Sequence, residues 1–567
     1  MPRRKTFLLE PAMPLGGEVE WSDAEWVGML DLDVVRPPYS RVRVVARGGE
    51  PFSTARLLVR RAGTVLGFVS VPLQSGVLDP HSLTSGVDAL PTGLDVPDAP
   101  VEETLPSISV IVCTRDRPEM LRDALTSIIA VDYPDFTVIV VDNAPSTELT
   151  RELIEREFAA KGVRYLREPR AGLATARNTG LLAAPGEIVA FTDDDVLVDP
   201  GWLRGIVRGF RRGADVELVS GLVPSGELRT EVQAYFDGRV NWSSNLLPAV
   251  YRLSEQPEEL PMFPFSVGQF GTGANFAALR ATLLRLDGFD TALGVGTRTK
   301  GGEDLDIFVR TLFGGGAIAI EPSAVIWHRH RAELAALRAQ SVGYGRGLGA
   351  WLTKVAFTPR MLVRALARAP HASRQLIAKG GGEVTALDGA RSAVSEDLAS
   401  EIRQVGRTEL RQVLVGPFAY LMERLGGARG LSSMDDTSAD PDDPIVERPM
   451  GWAVAAAVCG TAGIVLAAAP WLPSPVATSL AAGAVLIGPG AALASWVRLP
   501  HSLGLIAVPA TGVAILVAVA GVASQLPGWW SVPAMTLLIA VPTALAGFGR
   551  LARYAFERRS RQGTVLE

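Results

Sequence analysis

From residue 107 onward, short continuous apolar runs alternate with stretches whose apolar residues recur at helical spacing. SISVIVCT (107–114), FTVIVVDN (136–143), GVRYLRE (162–168) and EIVAF (187–191) have strand length. DRPEMLRDALTSIIA, with Pro118 near its first turn, STELTRELIEREFAA and GLATARNTGLLAA carry the three-to-four-residue period of amphipathic helices. Apolar strands separated by helices predict an α/β domain with a parallel sheet covered on both faces and right-handed crossovers. Such a sheet places its ligand at the carboxyl ends of the strands.

The flanking regions follow other patterns. Before residue 98, RVRVVA, ARLLVRR and TVLGFVSVPL are short, rich in Val and Leu, and split by Gly and Pro, which predicts an N-terminal β-rich module over 1–98. After residue 450 charge nearly disappears. Four apolar stretches at about 451–469, 476–497, 502–525 and 531–549 approach the ~20 residues that cross a hydrocarbon core, and they predict a C-terminal transmembrane helical bundle over 450–549. Arg498 and the arginines from residue 550 on then place both ends, and everything before residue 450, in the cytoplasm, with 550–567 as a basic tail. Between these parts, 351–430 reads as helical and partly basic, and SSMDDTSADPDDPIVERP makes 431–449 an acidic flexible linker. PRMLVRALARAP in the helical part reads either as an interfacial helix on membrane lipids or as an ordinary solvated face.

Composition narrows the picture further. A chain of 567 residues suggests two or three domains, and its net charge of -5 gives no reason to expect a nucleic acid partner. The two cysteines, Cys113 and Cys459, lie far apart without metal-ligand spacing and favour a reduced interior. The first residues lack the apolar length of a signal peptide.

The candidate chemistry lies in EIVAFTDDDVLVDPGWL. Asp142 ends the second predicted strand and Asp193, Asp194 and Asp195 end the fourth, so both groups face one crevice. Alternation along an extended chain turns Asp193 and Asp195 to one side and Asp194 to the other. Converging carboxylates repel unless a cation joins them, and Mg²⁺ or Mn²⁺, as a hard ion, would satisfy them and hold a diphosphate. A solvated turn or a helix N-cap is the alternative use of the same residues.

SVIVCTRDR, VIVVDN, GLATARNTGL and FTDDDVLVDPGWL, followed in order by GTGANFAALRATLLRLDGFD, GGEDLDIFVR and VIWHRH, resemble family 2 glycosyltransferases of the GT-A fold over roughly 105–350. The resemblance implies a nucleotide-diphosphate sugar donor with Asp142 at its nucleobase and Thr114 and Arg115 nearby. It places Asp193 at the ribose or the metal and makes Asp195 the main metal ligand. Asp194 counts among the donor-side residues without a distinct task. Arg170, Arg177 and Asn178 would orient the donor, although helix packing explains Arg177 and Asn178 equally well. His328, ahead of His330, would complete the metal shell or be structural.

Transfer to a hydroxyl also needs a base that is not bound to the metal. By its match to the family's ED motif, Asp304 would be that base in an inverting displacement, with Glu303 positioning it or binding acceptor hydroxyls; simple favouring of a helix N-terminus is the bland alternative. The glycine-rich segment 294–302 would close over the donor. RAQSVGYGRGLGAWL contains Gln340 but lacks the Arg-Trp pair of processive synthases. The expected reaction is therefore transfer of one or a few sugars to a lipid-linked or envelope-glycan acceptor at a membrane. Polymer synthesis and export is the runner-up, and a non-catalytic nucleotide-sugar-binding scaffold a more distant one.

Overall fold

The computed structural model describes residues 5–14, 19, 21–91, 105–260, 262–365, 367–368, 396–427, 450–468, 484, 487–496 and 539–552. The chain divides into two units, Met1–Trp351 with Ala365–Asp435, and Leu352–Arg364 with Asp436–Glu567.

In the first unit, β1 (Lys5–Leu9), β2 (Glu25–Asp31), β3 (Val42–Ala46), β4 (Thr54–Arg61), β5 (Thr64–Gln74) and β6 (Val77–Leu78) form a six-stranded sheet in the order β1-β3-β6-β5-β4-β2. Alternation is clean in β5 from Gly67 on, with Gly67, Val69, Val71 and Leu73 turned inward, while a register shift before Gly67 puts Val65 on the opposite face with Leu58. Helix α1 (Pro80–Asp88) follows, capped by Asp79, whose carboxylate accepts the Ser82 amide at 2.7 Å. This sheet has its own core, built on Trp26, Leu30, Leu57, Val71 and Leu83.

The next elements are β7 (Ile108–Thr114), α2 (Pro118–Ile128), β8 (Phe136–Asn143), α3 (Leu149–Leu153), β9 (Val163–Glu168), α4 (Leu173–Ala183), β10 (Ile188–Thr192), β11 (Val196–Val198) and α5 (Trp202–Phe210). They continue with β12 (Val216–Leu222), α6 (Glu231–Arg239), β13 (Ala249–Tyr251), β14 (Asn275–Leu279), α7 (Arg280–Arg285), α8 (Glu303–Phe313), β15 (Ala317–His328) and α9 (Leu334–Phe357). The sheet order is β11-β15-β12-β14-β10-β7-β8-β9, with β13 added on β15. Strands β10, β7, β8 and β9 run parallel, as the apolar runs predict. The sheet as a whole is mixed, because β14 pairs antiparallel with both β10 and β12. β14 is buried nearly throughout, so its apolar run carries no sign of direction. Leu121, Leu125 and Ile128 of α2 and Leu203 and Ile206 of α5 bury one face of the sheet, and each such side chain stabilises the fold by ~1.5–3 kcal/mol. The result is an α/β domain built on one mixed sheet.

The segment 294–302 is folded down in this structure. A bridge between Gly294 and Gly301 closes it, and Thr299 is fully buried inside. The helix Glu396–Leu425 flanks it: Glu423 accepts the Arg298 amide at 2.8 Å, while Arg424 and Tyr420 hold Asp290.

The second unit corrects the membrane reading. Among the described residues no helix is long and apolar enough to cross a membrane, which overturns the expected C-terminal transmembrane bundle and the multi-pass location that rested on it. Met450–Ala468 has 19 residues, a rise of about 28 Å, just under a ~30 Å hydrocarbon core, and Gly488–Trp496 has nine, about 14 Å. Uncharged length in the sequence had stood in for helix length. The expected span at 502–525 lies outside the described residues. So do the linker at 431–449, most of the tail, and parts of the second and fourth spans.

Candidate functional site

The crevice forms where the parallel strands end. β7 delivers Thr114, β8 delivers Asp142, and the turn from β10 into β11 delivers the three aspartates. β11 pairs antiparallel with the end of β15, setting Val196 opposite His328, and the Arg329 amide donates to the Asp195 carbonyl at 3.0 Å. That pairing brings sequence-distant Asp195 and His328 together. Asp193, Asp195 and His328 each offer a ligand atom within 4.8 Å of the others. His328 Nε2 lies 3.4 Å from Asp195 Oδ1, and its Nδ1 is buried without a hydrogen-bond partner among the described residues. Two carboxylates and an imidazole whose Nδ1 has no partner among the described residues form a suitable donor set for a divalent cation.

Lost hydration raises the Asp193 carboxyl above its ordinary range; Arg177 opposes this and Asp195 adds to it. Asp194 is pushed up to about 6 by burial and by Asp195, against the Thr114 hydroxyl, which donates to it at 2.6 Å. Asp194 is thereby tied to the end of β7, which turns it away from the Asp193–Asp195 pair's work. Asp142 is fully buried, accepts the Tyr165 hydroxyl at 3.0 Å, and is raised to about 6 by burial.

Helix α8 starts at Gly302, whose φ of 94° is left-handed and whose missing Cβ leaves room for the Gly347 carbonyl. The next two residues are Glu303 and Asp304. Buried Glu303 faces Arg177 at 3.0 Å and is pushed up to about 7 by burial, with Asp304 adding repulsion and Arg177 opposing. Asp304 is only partly buried. Its Oδ2 accepts the Gly273 amide at 2.9 Å and its Oδ1 accepts the Leu305 amide at 2.8 Å.

Arg177 links the two carboxylate groups. Its side chain is 3% exposed, and its guanidinium contacts Glu303, donates to the Gly273 carbonyl at 3.0 Å, and reaches Asp193 at 3.8 Å. The other expected residues separate from this core. Asn178 bonds the Phe289 backbone through both ends of its amide, Arg170 pairs with Glu168, and Arg115 lies 3.7 Å from Asp116 on a half-exposed side chain.

Two arginines at the site escaped the sequence reading. Arg117 lies 3.3 Å from Asp194 and 3.6 Å from Asp195, and Arg331 lies 3.4 Å from Asp195. Their only sequence signal is basic density in TRDR and WHRHR. His330, next to Arg331 in sequence, is buried against Phe236 and Trp242, and burial holds its imidazole neutral, well below the usual histidine range.

Residues 109–274 match the model of glycosyl transferase family 2. A pre-mycofactocin glycosyltransferase of Mycobacterium tuberculosis is 26% identical over 239 residues, 42% of this chain and 46% of that protein. The succinoglycan biosynthesis protein ExoM of Rhizobium meliloti is 29% identical over 280 residues, 48% of this chain and 79% of ExoM. The matched region spans about half the length of the mycobacterial relative. Among solved structures, the mannosyltransferase PcManGT from Pyrobaculum calidifontis, in complex with GDP-Man and Mn²⁺, aligns with 58% of this chain and 90% of its own at 21% identity. Its TM-score is 0.38. Over residues 109–274 the chain is thus similar to glycosyl transferase family 2, and a DxD-like acidic cluster lies within that stretch.

Proposed function

We propose that the chain transfers a glycosyl group, with inversion, from a nucleotide-diphosphate sugar to a hydroxyl of a lipid-linked or envelope-glycan acceptor. The observation that carries this reading is the link through Arg177, which contacts a carboxylate of the DxD-like cluster and a carboxylate of the ED pair. Donor and acceptor chemistry then share one crevice.

Asp195, Asp193 and His328 are the residues to hold Mg²⁺ or Mn²⁺. A cation bound there supplies positive charge to the departing diphosphate. Asp142 faces the nucleobase, with Thr114 fixing Asp194 beside it. As the acceptor oxygen bonds to the anomeric carbon, the bond from that carbon to the diphosphate breaks and the acceptor proton passes to Asp304. Asp304 suits the task better than Glu303 because it is the less buried of the two, and a base must reach an incoming hydroxyl. Glu303, paired with Arg177, orients the turn that carries the base.

ExoM, named for succinoglycan biosynthesis, and a glucosyl-dolichyl phosphate glucuronosyltransferase of Haloferax volcanii support the acceptor class. The test is nucleotide release from a panel of nucleotide sugars with Mn²⁺, comparing the parent with Asp304→Asn. Release from at least one donor, abolished by the substitution, is expected; no release from any donor, or equal release by both proteins, sinks the reading.

A further inference from the structure

The N-terminal sheet packs against the strands of the crevice, and its polar contacts with them come from β4. β4 turns Arg56, Leu58 and Arg60 to the same side, because alternate residues of a strand share a face. Arg60 and Leu58 meet residues beside the strand ends that carry the cation ligands, and Arg56 reaches one of them through α6.

Arg60 Nη1 donates to both oxygens of Asp199 at 2.9 and 3.0 Å, while its Nε donates to Asp31 at 2.9 Å. Asp199 lies directly after β11, four residues beyond Asp195, and is 7% exposed. Its amide donates to the Val325 carbonyl and its carboxylate accepts the Gly201 amide, so it also joins β11 to β15 and to the start of α5.

Arg56 donates to Asp237 at 2.6 Å, and Asp237 accepts the Ser225 hydroxyl. Ser225 bridges to His328, whose amide donates to the Pro224 carbonyl and whose carbonyl accepts the Gly226 amide. Between the two arginines, Leu58 packs with Val27 and Val65 against Leu222, Leu228, Val325 and Trp327. Trp327 precedes His328, and Leu197, two residues after Asp195, pairs with it.

We propose that the N-terminal sheet is a positioning element for the cation ligands, Arg60 acting through Asp199 on the Asp195 strand and Arg56 acting through Asp237 and Ser225 on the His328 strand. The inference rests on the metal site proposed above. A cation site binds well only when its ligands are held at the right separation, and groups that orient a ligand typically contribute ~10–100-fold to affinity. Asp195 sits immediately before β11, a three-residue strand with no further sheet beyond it, and His328 is the last residue of β15, the strand that pairs with it. Their orientation therefore depends on what grips those ends from outside, and β4 grips both.

The test uses the full chain with Arg56→Gln, Arg60→Gln, the double substitution and Arg60→Lys. Mn²⁺ binding is followed by the electron paramagnetic resonance of free and bound ion, with and without nucleoside diphosphate, and thermal unfolding is followed in parallel. The double variant, measured well below its unfolding temperature, is expected to bind Mn²⁺ about tenfold more weakly with a broadened bound-ion spectrum, and Arg60→Lys to recover part of the loss. A role confined to docking the two sheets lowers the unfolding temperature and leaves Mn²⁺ affinity within twofold of the parent; that result overturns the inference. Should the double variant not fold, unchanged Mn²⁺ affinity in both folded single variants overturns it equally. A parent that binds no Mn²⁺ is a separate failure, since it removes the metal reading itself.

Discussion

The two acidic groups of the crevice manage their charge in opposite ways. Around Asp193, Asp194 and Asp195 the protein gathers cations: Arg117 and Arg331 lie within 3.6 Å of Asp195, and His328 adds an imidazole. Around Glu303 and Asp304 it supplies backbone amides from Gly273 and Leu305, one buried guanidinium, and a proton that Glu303 keeps up to about pH 7. The first arrangement suits carboxylates that trade protein cations for an incoming one. The second suits carboxylates that stay with the protein, one of them open to accept a proton. Two acidic strings that look alike in sequence therefore have different chemistry because of what surrounds them.

The hardest test of this contrast is Asp304→Asn. If the second group is the basic one, turnover should fall by ~10²–10⁴ while Mn²⁺ affinity stays near that of the parent, measured by nucleotide release and by ion titration. Loss of Mn²⁺ binding instead would merge the two groups into one.

Arg177→Gln tests the link between them. Removing a buried guanidinium leaves Glu303 without its partner, and breaking such a pair typically costs ~3–5 kcal/mol, read as a lower urea midpoint. The cost should be smaller at pH 5 than at pH 8, because Glu303 is then protonated in the folded chain and leaves no buried charge. Equal midpoint shifts at both pH values would show that Glu303 does not titrate as its surroundings imply.

Asp195→Ala addresses the first group alone. Mn²⁺ affinity should fall at least ~10-fold while the metal-free chain keeps its fold, since the arginines facing the buried Asp195 are themselves 43% and 32% exposed and stay solvated when it is removed. A large loss of stability without metal would mean that the arginines, rather than a cation, are the carboxylate's working partners.

Much of this contrast was legible in the sequence, and the limits have physical causes. The runs at 107–114, 136–143 and 187–191 became β7, β8 and β10, because strands buried on both faces must be continuously apolar. The strand-end rule then placed Asp142 and the DDD string in one crevice. The direction of β14 was not legible, since a fully buried strand reads alike either way. Arg117 and Arg331 were missed because their contacts depend on where turns and the β11–β15 pairing place them, not on a local period. The Asn178 reading failed to discriminate for a similar reason: only the tertiary fold shows both ends of its amide on Phe289. At the C-terminus, low charge over long stretches was mistaken for helix length, and the described helices there fall short of a bilayer.

The effect that reaches furthest from both acidic groups comes from Asp142. In the unfolded chain its carboxyl loses its proton near the ordinary value of ~4. In the folded chain burial holds it to about 6, the Tyr165 hydroxyl offsetting only part of that. Between those values the folded state carries more bound protons than the unfolded one. The parent's stability therefore falls as pH rises through that window, by at most ~1.4 kcal/mol for each unit of separation. Asp142→Asn does not titrate there, so urea unfolding of the two proteins at pH 4.5 and pH 7.5 should show the variant gaining on the parent at the higher pH. The same substitution replaces an acceptor-only carboxylate by an amide at the proposed nucleobase position, so it should change which nucleoside diphosphate raises the unfolding temperature most. A variant that gains stability at pH 7.5 yet keeps the parent's nucleotide preference would make Asp142 a buried structural acid, and would confine the donor contacts to the aspartates of β10 and β11.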